Sequence, residues 1–160
     1  MDKTIQRNPH FVWCFLEIFS REGGIQSYIK DIFVAYNHLE SDDRPPTSDV
    51  LLLRDAAESD NPFESESLNF HYFRSPSPPI GRIRLAVALL GLLISKRPAR
   101  VFCGHVNLAH LTQVLCKPLG IPYTVLTYGK EVWYPLPPKY RKALQQADEI
   151  WTISRYSRDR

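Results

Sequence analysis

Two adjacent glycines, Gly23 and Gly24, stand between an apolar run and a stretch of helical spacing in "REGGIQSYIKDIF", residues 21–33. Glycine there lets the main chain pass close to a ligand and opens positive φ. A helix that begins at this point offers unpaired N–H groups and a partial positive charge, which suit a phosphate or diphosphate. The competing reading is a tight strand-to-helix turn with no ligand. His105, beside Gly104 and Asn107, is fit for a hydrogen bond to a substrate hydroxyl or for general acid–base work. A purely structural bond to a neighbouring loop stands level with it. In "TYGKEVW", residues 127–133, Gly129 permits a sharp turn and brings Lys130 and Glu131 together. That turn reads as a sugar or phosphate contact, or as an ordinary surface turn that tucks Trp133 into the core. Ser154 opens one more turn after the last apolar run.

Other chemistries lack their residues. The sequence has no G-x-G-x-x-G, no Walker-type lysine and no G-x-S-x-G elbow. His10, His38, His71 and His110 read as structural or exposed, no pair has metal-ligand spacing, and no metal or cofactor is expected. Cys14, Cys103 and Cys116 lie in apolar segments and read as buried free thiols of a reducing compartment, the cytoplasm. Asp148 and Glu149 precede an apolar run and stand at the wrong end of it for a catalytic carboxylate pair.

Residues 11–19, 50–53, 68–73, 101–103, 122–127 and 149–153 are short apolar runs and read as strands. Residues 25–39, 81–95, 108–119 and 137–147 carry helical spacing, with Pro98 ending the second and Gly120 closing the third. Residues 41–48 and 55–67 read as loops, and "SPSPP", residues 75–79, as an exposed connector. Apolar strands alternating with helices predict an α/β fold: a Rossmann-like open parallel sheet with helices on both faces, in a single domain over residues 1–160. The join between the second and third strands is the exception, since no helix is evident there. In such sheets ligands bind beyond the carboxyl ends of the strands. The glycine pair, Arg54-Asp55, Ser75, Gly104 to Asn107, Tyr128 to Glu131 and Ser154 all fall at that edge.

With 20 basic and 17 acidic residues the net charge is +3, too mild for a nucleic-acid surface. The charge is nonetheless sided. Acids dominate residues 40–66, whereas Arg82, Arg84, Lys96, Arg97 and Arg100 flank the apolar run 85–94 with no acid among them. Ten apolar residues are too few to span a membrane, so that run reads first as a core helix and second as a membrane-surface helix. A peripheral station at the inner membrane face is therefore left open.

Three segments in order carry a resemblance: "EGGIQSYIKDIF", then "FCGHVNLAHLTQVLCKPLGIPYTVLTYGKEVW", then "ADEIWTISRYSRDR". Together they resemble the N-terminal half of a family 4 (group 1) glycosyltransferase of the GT-B fold, over nearly the whole chain. The resemblance implies sugar transfer from a nucleotide-sugar to a saccharide or lipid-linked acceptor, with retention and without a metal. It implies that Gly23-Gly24 approaches the donor diphosphate and stabilises leaving-group charge. His105, Asn107, Gly129, Lys130, Glu131 and Ser154 would line the acceptor side. Tyr128 stands where many members carry a catalytic histidine, so Tyr128 and His105 are the candidates for that role. The family's donor-gripping C-terminal domain has no counterpart before Arg160. The expectation is thus a half-enzyme that needs a separate C-terminal half, or else a non-catalytic Rossmann-like binding module or remnant.

Overall fold

The computed structural model describes residues 7–39 and 43–153. In chain order it contains β1 (His10–Phe15), α1 (Gly24–His38), β2 (Thr47–Leu52), β3 (Leu68–Tyr72), α2 (Pro78–Lys96) and β4 (Arg100–Cys103). There follow α3 (Val106–Cys116), a 3₁₀ turn (Lys117–Leu119), β5 (Tyr123–Thr127), α4 (Lys130–Trp133), α5 (Pro138–Gln145) and β6 (Glu149–Thr152). All strand pairings are parallel, in the order β3-β2-β1-β4-β5-β6. The expected Rossmann-like sheet with helices on both faces is the fold observed.

The near-continuous apolar strands follow from burial on two sides. In β1, Trp13 and Phe15 face α1 and pack with Ile29, Phe33 and Phe102. Val12 and Cys14 face the other way, into a core built with Leu85, Leu89 and Leu93 of α2, Leu108 of α3 and Ala143 of α5. One layer is therefore α1; the other is α2, α3 and α5 side by side.

Several boundaries differ from those expected, each for a physical reason. β1 stops at Phe15 rather than Phe19, because the amides of Ile18, Phe19 and Ser20 turn onto the Asp55 carboxylate. β2 begins at Thr47, inside the expected loop. Its polar residues are satisfied by buried partners: Trp13 Nε1 donates to Ser48 Oγ at 3.1 Å, and Ser48 donates to the Tyr36 hydroxyl at 2.8 Å. Asp49 accepts from Asn69, His71 and Lys96 at 3.1, 2.7 and 2.7 Å, with His10 Nε2 at 2.9 Å. Those partners hold its carboxyl far below the usual range against the cost of burial. "SPSPP" is not a free connector: Ser77 stands at the N-cap position of α2 without a side-chain cap bond, and Pro78 and Pro79 form its first turn, where a missing N–H costs nothing. α2 runs one residue past its expected end, to Lys96, and Arg97 follows in the left-handed region at φ 46°. α4 was not expected, and Trp133 on it is 36% exposed, not tucked into the core.

Gly104 shows why β1 and β4 lie so close. A Cβ there would sit 2.0 Å from Phe15 Cδ1 and 2.9 Å from the Cys14 carbonyl oxygen, which the Gly104 amide already binds at 2.7 Å. Phe15 is held in turn by the rings of Trp13 and Phe33. Gly104→Ala is expected to lower stability by about 1–3 kcal/mol, the usual range for overpacking a core. Urea denaturation measures it, and an unchanged midpoint would refute the packing argument.

Candidate functional site

The order of the strands places a crevice. β2 and β3 lie to one side of β1, and β4, β5 and β6 to the other. The connections leaving β1 and β4 therefore diverge, and a gap opens beyond their carboxyl ends. A cavity of about 370 Å³ lies there. Glu17, Arg21, Gly23, Gly24, Arg54, Gly104, His105 and Asn107 are among the residues lining it. The structure thus brings together the two glycines, His105 and Asn107, which stand more than 80 residues apart in the sequence. A second cavity of about 480 Å³, lined also by Ser75, Arg74 and Arg82, shares Glu17 and Arg54 with the first.

The glycine loop does not use left-handed backbone. Gly23 has φ 171° and ψ 173°, an extended conformation open to any residue. A Cβ on Gly23 would meet only the flexible end of Gln26, and one on Gly24 would meet nothing within 4 Å. The fold therefore makes little demand for glycine at either position, and a side chain on Gly24 would project into open space. α1 has no side-chain cap and no acid in its first turn. Its leading N–H groups have no partner within the helix.

Asp55 holds this loop in place. Its buried carboxylate accepts from Ile18, Phe19 and Ser20 at 2.6, 3.0 and 2.7 Å. Bonds from Leu53 to Phe15 and from Arg54 to Leu16, at 3.1 and 2.8 Å, extend the β1–β2 ladder past the sheet and carry Arg54 to the cavity. Glu17 lies between Arg21 and Arg54 at 3.6 and 3.7 Å. Both guanidinium groups are at least half exposed, and both border the cavity. The sequence signal for Asp55 was only its place after the second strand; what it binds depends on a turn 35 residues earlier in the chain.

His105 is the N-cap of α3, where its Nδ1 accepts the Asn107 amide at 3.1 Å. That bond assigns the proton of the neutral ring to Nε2, a donor in the lining of the cavity. Burial lowers the His105 pKa, with a smaller push the same way from Arg54 and smaller opposing ones from Glu131 and Glu17. The ring is thus a neutral hydrogen-bond donor near pH 7.

The turn after β5 is placed differently. The Tyr128 phenol is buried and donates to the Gly104 carbonyl at 2.9 Å; burial pushes its pKa well up. Gly129 has φ 151°, so here glycine is needed. Glu131 accepts the amides of Tyr128 and Gly129, capping its own turn. Tyr128, Gly129, Lys130 and Glu131 do not line the 370 Å³ cavity. Ser154 lies outside the described residues. Among the described residues no group of three or more His, Cys, Asp or Glu side chains is placed to hold a metal ion. Asp148 binds the Tyr123 amide at 2.9 Å, a structural role at the opposite edge.

No protein-family model and no curated protein matches the sequence. Solved structures do match the fold. A lipopolysaccharide outer core galactosyltransferase, WaaB in its apo form, superposes with a TM-score of 0.61 at 13% identity, over 94% of this chain and 41% of that one. The Bordetella bronchiseptica enzyme WbmG, solved in complex with NAD and UDP, superposes with a TM-score of 0.52 at 8% identity, over 94% of this chain and 54% of that one. The chain thus spans about half the length of these structures or less, and at such identities the likeness is one of fold.

His105→Ala is expected to cost about 1 kcal/mol through loss of the α3 cap. In the wild type, a folded-state pKa below the unfolded value of 6.5 makes stability rise with pH through that window and fall as His105 is protonated below it. Denaturation midpoints from pH 7.5 down to about pH 5 should show this decline, reduced in His105→Ala. An equal decline in both would refute the assignment.

Proposed function

We propose that this chain is the acceptor-side half of a GT-B glycosyltransferase, and that its crevice receives the diphosphate of a nucleotide-sugar. The observation that carries the reading is the uncapped N-terminus of α1. It opens beside a glycine the fold does not require and faces His105 across the crevice. Main-chain N–H groups and the helix dipole favour an anion there. Arg21 and Arg54, both paired with Glu17, border the same cavity and could turn to an anion there. His105 Nε2 would donate to a sugar hydroxyl or to the oxygen on which charge develops, an electrostatic contribution to sugar transfer. Tyr128 acts through Gly104 as a positioning residue: its phenol fixes the carbonyl just before His105. The GT-B reading is supported by a galactosyltransferase of the same fold, and the choice of ligand by a second neighbour solved with two diphosphate-containing molecules.

In this proposal the nucleotide is gripped mainly by a second domain, so the crevice alone binds donor weakly and turns over little. Retention, a metal-free reaction and a saccharide or lipid-linked acceptor belong to the same proposal. A binding module without turnover is the second reading. It is favoured by Glu131 and Tyr128, whose polar groups are already engaged by main chain. Donor hydrolysis on adding a complementary GT-B C-terminal domain separates the two.

Gly24→Ala tests the crevice itself. Alanine in place of a helical glycine should leave stability equal or up to about 1 kcal/mol higher. Its methyl group should nevertheless lower affinity for UDP and inorganic pyrophosphate by roughly tenfold, by blocking approach to the α1 amides. Calorimetric titration and a melting curve read both. Unchanged affinity, or no diphosphate binding by the wild type at millimolar concentration, would overturn the proposal.

A further inference from the structure

α2 is apolar on two opposite faces. Gly81, Leu85, Leu89 and Leu93 are buried against the sheet. On the far side Ile80, Ile83, Val87, Leu90 and Ile94 are 52, 63, 66, 38 and 59% exposed. Their spacing alternates between three and four residues, which aligns them in one stripe along the helix, about 20 Å long. A surface helix ordinarily carries polar residues there. α2 is long and apolar enough to cross a membrane, yet its buried row is part of the core, so the helix is committed to the domain.

The charge around the stripe has one sign. Residues 67–130 contain no Asp or Glu, and none occurs in α2, α3 or α5. Those three helices form one layer, and its cations include Arg84 on α2, Lys117 after α3 and Lys139 and Lys142 on α5, with Arg97 just past α2. Val114 of α3 adds a further exposed apolar side chain, at 51%. Lys96 is not available to a partner, because it is bound to Asp49 at 2.7 Å. The acids lie in the loop before α1, at Asp31 of α1, in residues 43–66, at Glu131 of α4 and just past α5 at Asp148 and Glu149, where Asp148 accepts the Tyr123 amide and Glu149 is paired with Arg100.

We propose that the α2–α3–α5 face docks on an anionic lipid surface, with the outer stripe of α2 seated among the headgroups and upper acyl chains. Charge complementarity selects this occupant. A second copy of the chain packed on the stripe would set cations against cations, with no acid on either α2 to pair with them. An acidic peptide helix would need a groove, whereas the stripe is the outward ridge of a helix. A bilayer surface accepts a ridge, supplies the negative charge and solvates the apolar side chains. This inference stands whether or not the crevice binds diphosphate.

The test is co-sedimentation of the full chain with vesicles of phosphatidylcholine alone and with roughly a third phosphatidylglycerol. Partition should be at least about tenfold higher on the anionic vesicles and should fall as salt is added. Arg84→Gln and Arg97→Gln should each reduce it about fivefold. Val87→Ser and Ile83→Ser, both at exposed positions, should abolish it while leaving the circular dichroism spectrum unchanged. Equal partition on neutral vesicles, insensitivity to salt, or full binding by Val87→Ser would overturn the proposal. So would a dimer in sedimentation velocity that Val87→Ser dissolves while the wild type ignores vesicles.

Discussion

The chain reverses its course across the sheet at β1, and the site follows from that one constraint. Because β2 and β4 both pair with β1, the segments leaving β1 and β4 part from each other above the strand ends. A gap at that point is a consequence of topology before any side chain is chosen. The residues then decide what the gap is. Asp55 gathers three amides of the β1 loop, Gly104 lets β4 approach β1 closely, and the Tyr128 phenol fixes the Gly104 carbonyl. With those contacts made, the start of α1 and the His105 ring line one crevice.

The parallel sheet was legible because β1, β2, β4 and β5 are buried on both faces and read as apolar runs, whereas the edge strand β6 is largely exposed. Termini were less legible, and for a consistent reason. Ser48 and Asp49 look like loop residues in a linear reading, since only the distant Trp13, Tyr36, His71 and Lys96 make them tolerable inside a strand. Leu16 and Ile18 look like strand residues, because the carboxylate that bends the chain away comes from Asp55.

The site divides in the same way. Gly23, Gly24, His105 and Asn107 were legible from the rule that ligands lie at strand ends, and they border the crevice. The reason first given for the glycines needed correction: Gly23 is extended rather than left-handed, and what Gly24 provides is unfilled space. Tyr128, Gly129, Lys130 and Glu131 share the sheet edge but lie outside the crevice lining, because the turn closes on itself through Glu131 and the phenol turns to Gly104. Spacing in the sequence fixes which edge a residue reaches. It does not fix whether its polar atoms remain available once neighbouring amides have claimed them. α2 divides in the same way: its apolar run admits a core helix or a surface helix, and only burial residue by residue separates the core row from the exposed stripe.

The central claim is that the α1 amides receive a diphosphate, and the most direct measurement is a crystal structure of the chain with UDP. The expected result is a phosphate oxygen within hydrogen-bond distance of the Gly24, Ile25 or Gln26 amides, with His105 Nε2 facing the same ligand. A nucleotide bound with its phosphates away from the start of α1, the crevice holding no anion, would contradict it.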